Sequence, residues 1–239
     1  MVYLNMHSER VSLSLIPKQI GGIRLDWEKD QTPLEVEERL NHYKDFGLRL
    51  LVSRYDHAVI AHSRWKGKLH IHFKNEPEYK HHDFHWPEEY AVLVRSLLSR
   101  GVRVWGPCLS TWHHSSWWER FREADGFSLL AGVDVHGYGF SPEQLPTLVR
   151  YIRTVIPKSK PLIIGEYGPE GKDIVSFFYS AIRHLPVGVD INLWRGPDPP
   201  NRGEGLFTNF DYTKPYDWVP GVKERWDKAF ASSVSAETV

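Results

Sequence analysis

Glu76 and Glu166 are the residues whose surroundings raise a chemical question. Glu76 sits in Asn75-Glu76-Pro77, separated by Lys74 from the alternating run Leu69-His70-Ile71-His72-Phe73. Glu166 sits in Gly165-Glu166-Tyr167-Gly168, directly after Pro161-Leu162-Ile163-Ile164. Each acid closes a strand-like segment where the chain must turn. Two carboxylates facing each other can hydrolyse a glycosidic bond, one serving as acid and base, the other as nucleophile or base. Taken singly, each has a plain alternative: a surface loop acid for Glu76, an acidic turn between glycines for Glu166. What decides is whether the fold brings the two together.

Short runs at about 2–7, 22–27, 48–54, 69–75, 102–107, 130–137, 161–166 and 188–194 read as strands. Helix signals separate them. Thr32-Pro33-Leu34-Glu35 and Ser141-Pro142-Glu143-Gln144 are capping boxes with proline at the first helical position. Pro87 and its acids open a helix that ends on Arg100-Gly101, complementing the helix dipole at both ends. Two further helices are expected at about 173–184 and 221–230. Strands alternating with helices indicate a parallel sheet, and eight of them predict a compact (β/α)8 TIM barrel. The first helix, interrupted by Pro17, and the third, between Asp56 and Lys68, are expected to be short or missing. One catalytic domain is expected over residues 1–230, followed by a disordered polar tail at 231–239.

The strands also carry an alternation. Tyr3, Asn5 and His7, then Arg24 and Asp26, then Asp134, His136 and Tyr138, and finally Asp190, Asn192 and Trp194 alternate with apolar residues. Since helices must cover the apolar face, the polar face is expected to point into the barrel. Glu76 and Glu166 end the fourth and seventh strands, which lie across the barrel mouth from each other. The C-terminal mouth is where such barrels place their chemistry.

At these positions the sequence resembles the retaining glycoside hydrolases of clan A, the cellulase, mannanase and xylosidase type of barrel. Asn75-Glu76-Pro77 matches the acid/base motif, Gly165-Glu166-Tyr167-Gly168 the nucleophile motif, His136-Gly137-Tyr138 the ending of strand six, and Ile23-Arg24-Leu25-Asp26-Trp27 the strand-two arginine motif. The resemblance implies Glu76 as acid/base and Glu166 as nucleophile, about 5 to 5.5 Å apart, the separation of retaining enzymes. Arg24, Asn75, His136 and Tyr138 would support them, and Trp194, Trp112 and Trp27 would bind substrate. Trp117 and Trp118 are further subsite candidates, with helix packing an equal alternative. Arg24 and Tyr138 would keep Glu166 ionised, and Asn75 would bond the sugar 2-hydroxyl. The substrate class implied is β-linked glycans or β-glycosides. A carbohydrate-binding barrel without activity is the alternative; it would be expected to lack one carboxylate.

Composition narrows the rest. Lys plus Arg and Asp plus Glu number 30 each, so no basic surplus exists to hold nucleic acid. Apolar runs are strand-sized, well short of the roughly 20 residues of a membrane span, and no leader pattern opens the chain. No membrane partner is expected. The single cysteine, Cys108, rules out an intrachain disulfide and is compatible with either a cytoplasmic or a secreted protein. Neither the compartment nor the oligomeric state is encoded in these patterns. The pairs His70/His72, His81/His82 and His113/His114 raise a metal-dependent hydrolase, but no His-Glu-x-x-His spacing supports it. No phosphate-loop or dinucleotide motif implies a cofactor.

Overall fold

The computed structural model describes residues 1–6, 11–79, 84–110, 115–168, 173–194, 207–208 and 217–231. The tail expected at 231–239 lies, beyond its first residue, outside them. Eight parallel strands form a closed barrel in chain order: β1 (Val2–Met6), β2 (Gly22–Trp27), β3 (Gly47–Val52), β4 (His70–Phe73), β5 (Val104–Leu109), β6 (Gly132–Val135), β7 (Leu162–Tyr167) and β8 (Val189–Trp194). β8 closes on β1, with Val2 beside Ile191 and Asn5 beside Trp194. The expected (β/α)8 barrel is therefore the fold. A two-stranded ribbon of β9 (Phe207–Thr208) and β10 (Asp217–Trp218) lies outside it.

The helices are α1 (Pro33–His42), α2 (Tyr55–Trp65), α3 (Pro87–Ser99), α4 (Ser115–Glu123), α5 (Gly126–Leu129), α6 (Leu145–Val155), α7 (Ile174–His184) and α8 (Val222–Ala231). The Thr32 capping box forms, with Thr32 accepting from the Glu35 amide and Glu35 accepting from the Thr32 amide. The Ser141 box also forms, on a 3-10 turn that leads into α6. Leu145, Leu148, Val149 and Ile152 then bury one stripe of α6, each worth roughly 1.5–3 kcal/mol relative to exposure.

One expectation is corrected and another kept. Between β1 and β2 the described residues hold only a 3-10 turn, Leu13–Leu15, so the first helix is indeed missing there. The third is not: α2 runs for three turns between β3 and β4. Its start carries no side-chain cap, and His57, His62 and Arg64 interrupt its apolar period. Burial of His57, Ala58, Ala61 and Trp65 against the barrel holds it instead.

The lumen is polar, as the alternation implied. Asn5, Arg24, Arg49, His72, Asp134 and Asn192 are all fully buried. Glycines make room for the larger groups. A Cβ on Gly22 would stand 2.1 Å from the Tyr3 ring, and one on Gly132 would stand 2.4 Å from the Trp105 ring. Both rings pack on the guanidinium of Arg49, which Asp190 neutralises at 2.5 Å. This layer leaves no slack for another methyl group.

Gly132→Ala should consequently cost about 1–3 kcal/mol through overpacking, read as a lower urea midpoint at unchanged slope. A loss below about 0.5 kcal/mol would show that Trp105 has room to move.

Candidate active site

Two bulges shape the mouth of the barrel. Between Ile164 and Tyr167 on β7, three steps oppose the two from Ile191 to Leu193 on β8, so β7 carries an extra residue. Strict alternation would send Gly165 and Glu166 to opposite faces. With the bulge, both face the lumen: a Cβ on Gly165 would fall 1.6 Å from Asp134 Oδ1, and the Glu166 carboxylate reaches Arg24. Glycine at 165 is thus required by the neighbouring acid. On β5 a matching irregularity falls between Pro107 and Leu109, opposite β6.

Backbone strain gathers at the same end. Four non-glycine residues among those described have left-handed backbone, and three of them are Lys74, Glu76 and Cys108, at φ 64°, 47° and 53°. Each such conformation costs on the order of 1–3 kcal/mol and persists only where surroundings enforce it. The enforcing bonds are visible: Lys74 N donates to Val52 O at 2.9 Å, and Glu76 N donates to Cys108 O at 3.0 Å.

Glu166 lies within β7 and Glu76 three residues past the end of β4. Arg24 Nη2 donates to Glu166 Oε1 at 2.8 Å and its Nη1 donates to Gly165 O at 2.6 Å. Tyr138 Oη donates to Glu166 Oε2 at 2.6 Å. His136 spans the pair, with Nδ1 3.1 Å from Glu76 Oε1 and Nε2 3.7 Å from Glu166 Oε1. One oxygen of each glutamate and a nitrogen of His136 all lie within 4.8 Å of one another. The side chains of Glu76 and Glu166 keep 12% and 9% of their surface open, so both are reachable from the cleft yet largely dry.

The electrostatics follow from this enclosure. Burial alone would lower His136, but the Glu166 charge, the bond to Glu76 and the charge of Asp134 outweigh it and push the imidazole up to about 9. It is therefore a cation between two acids. Burial pushes the Tyr138 phenol well above its ordinary value, and the Glu166 charge and hydrogen bond add to this, so it stays a donor. Burial would also lower Arg24, against which Glu166, Asp26 and Asp134 raise it further. Beneath the pair, burial lowers His72 to about 4 in spite of its 2.5 Å contact with Asp134. A neutral His72 then donates from Nδ1 to an ionised Asp134.

Of the residues expected at the site, Glu76, Glu166, Arg24, His136 and Tyr138 converge. Asn75 is half-buried on the turn beside Glu76. Trp112 and the side chain of Trp194 lie outside the described residues, although the Trp194 backbone ends β8 as expected. Trp27 requires a correction. It shares the outward face of β2 with Ile23 and Leu25, is 3% exposed, and stacks on His57 at 4.1 Å. Its indole N–H donates to Gln31 O, so it is a packing residue under α2 rather than a sugar platform. Trp117 and Trp118 likewise belong to the core, against Tyr90, Phe121 and Phe127. Asn192 is the supporting residue that motif reasoning passed over. Its Nδ2 donates to Gly165 O at 2.9 Å, sharing with Arg24 the carbonyl just before Glu166. Its inward place in the β8 alternation was the available signal.

Among the described residues, two groups of side chains have the proximity of metal ligands: Glu76, His136 and Glu166, and His72, Cys108 and Asp134. Their chemistry favours hydrogen bonding. Both oxygens of Glu166 already accept charged or phenolic donors, and a divalent ion there would face the Arg24 charge directly. In the second group burial holds the Cys108 thiol protonated, and it donates to Asp134 at 3.3 Å.

The raised His136 gives a test. Its folded value lies above the ordinary one, so its charge contributes stability that is fully present below about pH 6.5 and lost as pH rises towards 9. Glu166→Gln should lower the His136 titration followed by NMR, and the stability gap to wild type should narrow across that window. An unmoved titration would show that Glu166 is not what holds the imidazole charged.

No protein-family model matches this sequence, and no curated protein matches it either. Solved structures do resemble the fold. A GH128 endo-beta-1,3-glucanase from Amycolatopsis mediterranei, in complex with laminaritriose, superposes with a TM-score of 0.66 at 14% identity, covering 95% of this chain and 98% of that one. A beta-mannanase from Thermomonospora fusca gives 0.58 at 17% identity, over 84% and 78%. A GH30 endoxylanase from Clostridium papyrosolvens gives 0.55 at 13%, over 81% of this chain but only 64% of its own length. The chain thus has the closed eight-stranded barrel fold seen in these glycoside hydrolases.

Proposed function

We propose that the protein is a retaining glycoside hydrolase acting on β-linked glycans or β-glycosides, with Glu166 as nucleophile and Glu76 as acid/base. The observation that carries this is the Glu76, His136, Glu166 cluster at the barrel mouth, its ligand atoms within 4.8 Å of one another. Inverting enzymes separate their carboxyl groups by roughly 6.5 to 9.5 Å to admit a water, whereas retaining ones keep them about 5 to 5.5 Å apart. Carboxylate oxygens within 4.8 Å of each other support the retaining separation.

In this reading Arg24 and Tyr138 hold and aim Glu166 through a hydrogen bond to each of its oxygens. Glu166 attacks the anomeric carbon, the glycosidic C–O bond breaks, and a proton from Glu76 goes to the departing oxygen. The 3.1 Å contact with His136 Nδ1 fixes the direction in which the Glu76 carboxyl points. In the second step water attacks the same carbon, yields its proton to Glu76, and releases Glu166. Two inversions give net retention. Both carboxylates are present and braced, which favours turnover over mere sugar binding.

Glu166→Gln should abolish turnover of aryl β-glycosides, a fall of at least about 10⁴-fold, since no glycosyl-enzyme can form. Glu76→Ala should spare activated leaving groups in the first step, and azide should restore turnover by attacking the intermediate without base help. Normal activity in Glu166→Gln would refute the assignment of roles. Stereochemistry is the independent check: NMR of the first anomer released should show retention, and an inverted product would sink the double displacement.

A further inference from the structure

Glu78 lies two residues past Glu76 and has no part in the double displacement. Its Oε1 accepts from the Ser110 amide at 2.6 Å and from the Ser110 hydroxyl at 2.8 Å. Ser110 is itself 5% exposed and follows the last residue of β5. Glu78 Oε2 is buried and has no hydrogen-bond partner among the described residues. Enclosing a polar side chain is costly unless its oxygens are bonded, and Oε1 takes both Ser110 donors. The side chain's presence calls for a role.

Geometry supplies one. Glu76 and Cys108 are both left-handed and are joined by a single backbone bond, Glu76 N to Cys108 O. Glu78 and Ser110 stand two residues beyond each of them in the chain. The two side-chain bonds therefore clamp the turn just past the strained pair, while Tyr79 N donating to Glu76 O closes the turn itself. We propose that Glu78 is a positioning residue for the acid/base: by clamping the 75–79 turn to the end of β5, it holds Glu76 in the backbone conformation that aims its carboxyl at the glycosidic oxygen.

This inference rests on the role proposed for Glu76, but the clamp can be read without catalysis. Burial pushes the Glu78 carboxyl up, against the bonds from Ser110 and the charge of His136, so its interaction with the mouth is not that of a solvated surface acid. Charge is not what the clamp requires. Glu78→Gln keeps an accepting oxygen for Ser110, whereas Glu78→Ala leaves none.

The experiment compares Glu78→Ala, Glu78→Gln and Ser110→Ala by amide hydrogen exchange and by leaving-group kinetics. Exchange at the Glu76 amide should quicken at least tenfold in Glu78→Ala and stay within about threefold of wild type in Glu78→Gln. With aryl β-glycosides, kcat/KM for a poor leaving group should fall on the order of 10²-fold in Glu78→Ala, because proton donation is misaligned. An activated leaving group should change little, and Glu78→Gln should recover the loss. Ser110→Ala, which deletes only the hydroxyl donor, should shift both readouts the same way by a smaller factor, and serves if Glu78→Ala does not fold. Unchanged Glu76 exchange in the alanine variants would overturn the clamp. Equal losses on both leaving groups would also overturn it, as the mark of general destabilisation. A wild type that cleaves no β-glycoside would defeat the proposed function instead, and exchange would still decide the clamp.

Discussion

A guanidinium with no exposed surface governs this molecule. Arg24 cannot shed its proton on burial, because its intrinsic pKa lies far above any working pH, so the fold must bring anions to it. It does so from the far side of the barrel: Glu166 and the Gly165 carbonyl on β7 meet a side chain that starts on β2, with Asp26 3.6 Å from Nε. Remove the acid and a charge is stranded in the lumen, a loss on the order of 3–5 kcal/mol. The same contact that stabilises the barrel also fixes where the Glu166 carboxylate points. Stability and the proposed chemistry share one ion pair.

The lumen repeats that logic in layers. Lower down, Arg49 is neutralised by Asp190 and packed between the rings of Tyr3 and Trp105. Between the layers, the His72 and Asp134 pair adds an anion that draws on both Arg24 and His136. Charges alternate up the barrel, and each cation has an acid within contact distance. Glycines at 22, 132 and 165 yield their side-chain space to Tyr3, Trp105 and Asp134 within this crowded interior.

The aromatic residues among those described serve packing more than the cleft. Trp117, Trp118, Phe121 and Phe127 interlock beneath α3 to α5, and Trp226 stacks on Phe230 near Phe178. Ten tryptophans in a chain of 239 residues suggested sugar platforms, yet the described ones largely fill space between helices and barrel. Among the described residues, the mouth relies on charge and hydrogen bonding among a few groups, held by two bulges and three left-handed residues.

By itself the sequence determined what local physics can encode. Capping residues set where α1 and the turn before α6 begin, β-strand alternation sorted Arg24, Asp134 and Asn192 to the inside, and eight strand segments separated by helix signals specified a barrel. These readings depend on neighbours a few residues apart, which is why they survived. Tertiary structure decided whatever depends on distant partners. It made α2 a full helix, because burial of Ala58, Ala61 and Trp65 compensates for an uncapped start. It gave Trp27, whose outward face the strand's parity already set, its partners in the His57 ring and the Gln31 carbonyl. It turned Glu166 inward against simple alternation, through a bulge no periodicity reveals, and set His136 between two acids 60 and 30 positions away in the chain. Spacing along a chain fixes a side chain's face, whereas its charge state and its partner are properties of the space it shares with residues the chain brings back from far away.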